Sequence, residues 1–211
     1  MDLHANPVLV YDGAPIDDAD AVLIMVHGRN AAPKNILEII PRFDRPRCAC
    51  VAPAAAGGSW YPTGFMAPTA ENEPGVTNGI AAVHACIDEA LAAHVPGDRI
   101  VLLGFSQGAC LACTAAVRRP ARYGGVVMYS GGLIGPVGTA WPTAGDFART
   151  PVFLGCSDVD AHIPAGRVRE SAAHCEATNA DVTMRLYKGM GHLVAEDELD
   201  WTRALLRTLS A

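Results

Sequence analysis

Arg99-Ile100-Val101-Leu102-Leu103-Gly104-Phe105-Ser106-Gln107-Gly108 lies near the middle of the 211-residue chain and leads directly into Ala109-Cys110-Leu111-Ala112-Cys113. Arg99–Leu103 is a short apolar run of strand type, and Gln107–Arg119 carries a helical pattern halted by Pro120. The pentapeptide between them, Gly104 to Gly108, is G-x-S-x-G in the setting that gives this motif meaning: strand, sharp turn, helix. The glycines two before and two after Ser106 remove side chains that would clash in so tight a turn. Ser106 then occupies the apex, at a helix N-terminus whose backbone N–H groups favour negative charge. A serine that only caps a helix would read the same way locally, so the rest of the chain has to decide.

Outward from this stretch, short apolar runs alternate with helical patterns. Val8–Tyr11, Ala21–Val26, Cys48–Ala52, Gly125–Tyr129, Pro151–Leu154 and Val182–Tyr187 read as strands. Ala21–Val26 is continuously apolar, as expected of a strand covered on both faces. Helices are expected over Pro33–Phe43, with Pro41 ending or kinking the C-terminal part, and over Thr77–Ala93, Pro164–Thr178 and Glu196–Leu209. The alternation implies an α/β fold with a mainly parallel sheet and helices on both faces, in a single domain over residues 1–211. One stretch breaks the rhythm. Pro53–Val76 holds four prolines, four glycines and the cluster Trp60, Tyr61, Phe65 and Met66, with neither helical nor strand period. A loop this long is usually functional, and its aromatic cluster fits either loop core or pocket wall.

The 16 basic and 22 acidic residues sum to −6, and half of the residues are hydrophobic. The densest basic spots, Arg42–Arg47 and Arg118–Arg119, make no patch against that balance, so nucleic acid and anionic membrane surfaces are not expected partners. The apolar runs are too short to span a bilayer, and Met1-Asp2-Leu3-His4 has no secretory pattern. Seven cysteines, odd in number and unpatterned, read as reduced thiols of a cytoplasmic protein. Cys110-x-x-Cys113 has no second ligand pair nearby and reads as helix packing. No metal and no organic cofactor is expected.

A serine hydroxyl needs a base at neutral pH. His192, in Lys188-Gly189-Met190-Gly191-His192, follows a strand within a glycine-flanked loop and can reach across the top of the sheet. His27 precedes the nucleophile and is followed by Gly28, which suits another role. His84, His94 and His174 fall in helical patterns, and His4 is terminal. The third member should be a carboxylate at another strand end, and Gly155-Cys156-Ser157-Asp158-Val159-Asp160 offers two. Asp160 is favoured because the next helix begins just beyond it; Asp158 would then shape the turn, and the reverse assignment stays open. The order Ser106, Asp, His192 is that of the α/β-hydrolase fold.

These residues resemble the phospholipase/carboxylesterase family of small serine hydrolases, whose relatives include the acyl-protein thioesterases. The resemblance is carried by His27-Gly28, Ser59-Trp60-Tyr61-Pro62, Gly104-Phe105-Ser106-Gln107-Gly108, Ser130-Gly131-Gly132, Asp160-Ala161-His162-Ile163-Pro164 and Gly189-Met190-Gly191-His192. It implies a triad of Ser106, His192 and Asp160, oxyanion donors at the backbone N–H groups of Arg29 and Gln107, and Trp60 in the acyl pocket. Where relatives commonly carry His-Gly-x-Gly, this chain reads His27-Gly28-Arg29-Asn30. Asn tolerates the positive φ that a glycine there would adopt. Arg29 adds a cation that either reads an anionic substrate or forms a surface ion pair. The expected activity is hydrolysis of small to medium acyl esters through an acyl-enzyme, with a small-molecule ester as partner and no stable membrane insertion. The alternatives are a thioesterase or lysophospholipase on the same machinery, or a hydrolase-fold protein that only binds a ligand. A dienelactone hydrolase is disfavoured because that group generally carries cysteine at the elbow. Homodimers are frequent on this fold, and a homodimer is a possible assembly here by that analogy alone.

Overall fold

Along Ala21–Val26 (β2) side chains alternate between two apolar layers, and none is more than 1% exposed. Val22, Ile24 and Val26 face the layer built by Gly75–Ala92 (α2), Gln107–Arg118 (α3) and Ala165–Ala177 (α4). Ala21, Leu23 and Met25 face Pro33–Leu37 (α1) and Glu196–Thr208 (α5). A strand buried on both faces has no polar side to alternate with, which explains the unbroken apolar run. The computed structural model describes residue 4, residues 7–43 and residues 47–209. Residues 44–46, within the basic stretch 42–47, lie outside the described residues, as do the ends of the expected 1–211 domain.

One seven-stranded sheet holds Leu9–Gly13 (β1), β2, Cys48–Pro53 (β3), Ile100–Phe105 (β4), Gly125–Tyr129 (β5), Pro151–Ser157 (β6) and Asp181–Tyr187 (β7), in the order β1-β3-β2-β4-β5-β6-β7. Edge strand β1 pairs antiparallel with β3, Leu9 opposite Pro53 and Gly13 opposite Ala49; every other pairing is parallel. This is an α/β-hydrolase-type fold. From β2 the chain crosses to β3 on one side and returns to β4 on the other, so a crevice opens where their C-terminal ends diverge.

Two elements differ most in length from the sequence reading. The helix expected over Pro33–Phe43 is only Pro33–Leu37, followed by a 3₁₀ turn at Ile40–Phe43. Pro41 has no N–H, and its ring would meet the carbonyl four residues back, that of Leu37, so the α-helix stops there. In the other direction, β6 runs three residues beyond Leu154 to Ser157, because β7 keeps pairing with it as far as Tyr187.

Candidate active site

Ser106 stands between β4 and α3 at φ 55° and ψ −121°, a conformation that is costly for a non-glycine residue. The surroundings over-determine it. Its N–H continues the sheet to the Tyr129 carbonyl at 2.9 Å, and its own carbonyl accepts the Cys110 amide at 3.0 Å. A Cβ on Gly108 would lie 2.1 Å from the Val26 carbonyl oxygen, and one on Gly104 would lie 2.5 Å from the Gly108 backbone. The turn can therefore close only where both positions are glycine.

The Ser106 hydroxyl lies 2.9 Å from His192 Nε2, and His192 Nδ1 donates to Asp160 Oδ2 at 2.7 Å. The carboxylate takes the Nδ1 proton, which leaves Nε2 as an acceptor for the serine hydroxyl. The Asp160 side chain has no exposed surface, and burial alone would raise its pKa. Hydrogen bonds from His192 and from the amides of His162 and Ile163 outweigh burial and hold the carboxyl below the ordinary value. The Cys156 thiol also donates to Oδ2 at 3.7 Å; burial first and then Asp160 push that thiol up to about 12, so it keeps its proton. Asp158 is not in this chain of contacts. Its Oδ1 accepts the Gly189 amide at 2.8 Å, while Ser157 Oγ accepts the Gly191 amide at 3.0 Å. Sequence reasoning missed this pair of clamps on the His192 loop; their only trace was two polar side chains at the end of an apolar strand.

Arg29 and Gln107 line the same cavity as Ser106 and His192. Gln107 opens α3, so its N–H has no intrahelical acceptor. His27 Nδ1 donates to the Gly28 carbonyl at 2.8 Å, and His27 Nε2 accepts the Ala55 amide at 3.1 Å. The Gly28 carbonyl and the Arg29 N–H share one trans peptide plane and point in opposite directions. The bond to His27 therefore fixes where the Arg29 N–H aims, and no acceptor among the described residues takes it. Burial lowers the His27 pKa and outweighs the bond to Gly28, with a smaller lowering from His4, so the ring stays neutral. Asn30 takes φ 57°, the left-handed geometry that its side chain tolerates.

Among the described residues the Arg29 side chain forms no surface ion pair. Its guanidinium donates to the carbonyls of Pro62, at 2.8 Å, and Thr63, and lies over the Tyr61 ring. Trp60 also departs from the sequence reading: it is wholly buried and takes no part in the cavity wall. Its indole N–H donates to the His27 carbonyl at 2.9 Å, and its backbone N–H to Gln107 Oε1 at 3.0 Å, so the ring faces inward. The cavity at Ser106, about 650 Å³ in volume, is instead walled by Tyr61, Phe65 and Ile163 and by Ile36, Ile39 and Val194. The Ile36/Ile39 wall carried no sequence signal beyond a helical spacing of three.

The profile of the phospholipase/carboxylesterase family matches residues 13–210. The chain belongs to that family. A structure of a phospholipase/carboxylesterase from Dyadobacter fermentans superposes with a TM-score of 0.90 at 34% identity, over 96% of this chain and 97% of that one. An acyl-protein thioesterase 1 from Saccharomyces cerevisiae is 30% identical over 60% of this chain and 56% of its own length, so the match spans little more than half of that relative. A probable carboxylesterase from Oryza sativa is 27% identical over 81% of this chain and 80% of its own. Membership places the chain among carboxylic ester hydrolases. Among the described residues, no group of three or more His, Cys, Asp or Glu side chains is arranged to hold a metal ion and no helix is long and apolar enough to cross a membrane.

Proposed function

We propose that this member of the family is a serine carboxylesterase for small to medium acyl esters. One observation carries the reading: Ser106, His192 and Asp160 are in hydrogen-bond contact, at 2.9 and 2.7 Å, beside a cavity of about 650 Å³ with largely apolar walls. Ser106 Oγ attacks the ester carbonyl while His192 Nε2 takes its proton, and the Arg29 and Gln107 amides receive the oxyanion. His192 then protonates the leaving alcohol, and water repeats the sequence to release the acid. Asp160 holds the imidazole tautomer and stabilises the imidazolium; it is not itself protonated. A protein that only binds would need neither the base nor its orienter. The described cysteines are all buried and no disulfide joins any two of them, which fits a reducing cytoplasm.

The test is hydrolysis of p-nitrophenyl esters from acetate to palmitate by wild type and Ser106→Ala. Turnover that peaks at short to medium chains and falls by about 10³-fold or more in the variant supports the proposal. Retained turnover in Ser106→Ala overturns it. A preference for acyl thioesters, which the names of the thioesterase relatives make the second reading, moves the substrate class while leaving the machinery in place.

A further inference from the structure

His4 lies outside the stretch matched by the family profile, which begins at residue 13. It is nevertheless buried, 5% exposed, against Trp60. Its Nε2–H donates to the Trp60 carbonyl at 3.0 Å, and its Nδ1 accepts the Ala56 amide at 2.9 Å. Donation at one nitrogen and acceptance at the other fix a single neutral tautomer. The ring packs on the Trp60 indole with centroids 5.2 Å apart, and His27 packs on the same indole at 5.1 Å.

Trp60 is thereby held through each of its polar groups. His4 takes the carbonyl, Gln107 Oε1 the backbone N–H, and the His27 carbonyl the indole N–H. The last two partners are the proposed oxyanion donor Gln107 itself and the residue whose ring sets the Arg29 peptide plane. Ala55, which donates to His27 Nε2, is followed in the chain by Ala56, which donates to His4 Nδ1. Gln107 Nε2 further donates to the Tyr61 carbonyl at 2.8 Å, and the Arg29 guanidinium ties down Pro62 and Thr63. The 59–63 segment is thus a splint joining the two donor residues, and His4 is the strut beneath it.

We infer that His4 is a positioning residue of the oxyanion hole, holding Trp60 and the 55–56 turn so that the Arg29 and Gln107 amides keep their spacing. The inference rests on the esterase reading. An oxyanion hole serves the transition state rather than the bound ester, so a displaced donor lowers kcat and leaves KM nearly unchanged.

The experiment compares wild type, His4→Phe and His4→Gln. His4→Phe keeps a flat ring against Trp60 and removes both hydrogen bonds; His4→Gln offers one donor and one acceptor in their place. Active sites are counted by the p-nitrophenol burst, so that misfolded protein does not enter kcat. Inhibition by an alkyl trifluoromethyl ketone reads the hole directly, because its tetrahedral adduct with Ser106 places an oxyanion there. In His4→Phe, kcat per titrated site and ketone affinity should both fall by roughly 10- to 100-fold with KM within about twofold, and His4→Gln should recover most of both. Wild-type kcat and ketone affinity in His4→Phe overturn the inference, as does a loss equally deep in His4→Gln. Wild type that hydrolyses no ester overturns the inference and the esterase reading together, which separates the two failures.

Discussion

Asp158 and Gly189 clasp one another across two loops, the Asp158 carboxylate accepting the Gly189 amide at 2.8 Å, while the neighbouring acid two residues on takes His192. The two aspartates therefore do separate jobs: one aims the loop and the other serves the imidazole on it. Asp160→Asn should lower kcat by roughly 10⁴-fold, since an amide at that position favours the wrong imidazole tautomer. Asp158→Asn should cost about tenfold or less, because an amide oxygen still accepts the Gly189 N–H. Steady-state kinetics on a p-nitrophenyl ester ranks them, and equal losses would undo the division of labour.

Arg29 lines the cavity, and its guanidinium commits one Nη1 and one Nη2 donor to the Pro62 and Thr63 carbonyls. It is therefore expected to hold the 59–63 segment and not to read substrate charge. Arg29→Met should lower kcat/KM by about tenfold for neutral esters and by the same factor for a p-nitrophenyl ester with a terminal carboxylate. A selective loss on the anionic ester would return Arg29 to substrate recognition.

Two glycines in helices separate close approach from mere flexibility. Gly108→Ala puts a Cβ 2.1 Å from the Val26 carbonyl oxygen, so α3 must lift from β2 and carry Ser106 with it. At Gly166, near the start of α4, a Cβ meets nothing within 4 Å. Thermal unfolding should show Gly108→Ala destabilised by several degrees and inactive. Gly166→Ala should be unchanged or stabilised by up to about 1 kcal/mol. A folded, active Gly108→Ala protein would show that the elbow tolerates a wider turn.

Strands β2 and β4 were legible because burial on both faces writes an unbroken apolar run, and the elbow because a turn of that sharpness admits only glycine at its flanks. Positions set by partners distant in sequence were not legible. Which ring of the Trp60/Tyr61/Phe65 cluster faces the cavity is decided by Gln107 and His27, which hold Trp60 inward from 47 and 33 residues away. The role of His4 was hidden for the same reason: an isolated terminal histidine has no periodicity, and both of its partners are backbone groups over 50 residues on. The ends of β6 and α1 shifted because pairing with β7 extends one strand and a proline ring stops the helix.

Glu198 is wholly buried against the sheet. One carboxylate oxygen accepts the Ala195 amide at 2.5 Å, and the other has no hydrogen-bond partner among the described residues. Burial pushes its pKa up to about 7, against the lowering effect of Ala195 and with a smaller rise from Asp197. The folded chain therefore binds this proton more tightly than the unfolded one, whose glutamate titrates near 4.5. Stability contributed here is fully present below about pH 4.5, falls as pH rises towards about 7 and is level above that. The gap corresponds to about 3 kcal/mol. Glu198→Gln keeps the acceptor for Ala195 and removes the titration, while its buried NH₂ adds a cost that does not change with pH. Relative to wild type, the variant should gain about 2–3 kcal/mol in urea unfolding between pH 5 and pH 8. A difference between the two proteins that stays constant across that range would mean that Glu198 is ionised in the folded state throughout.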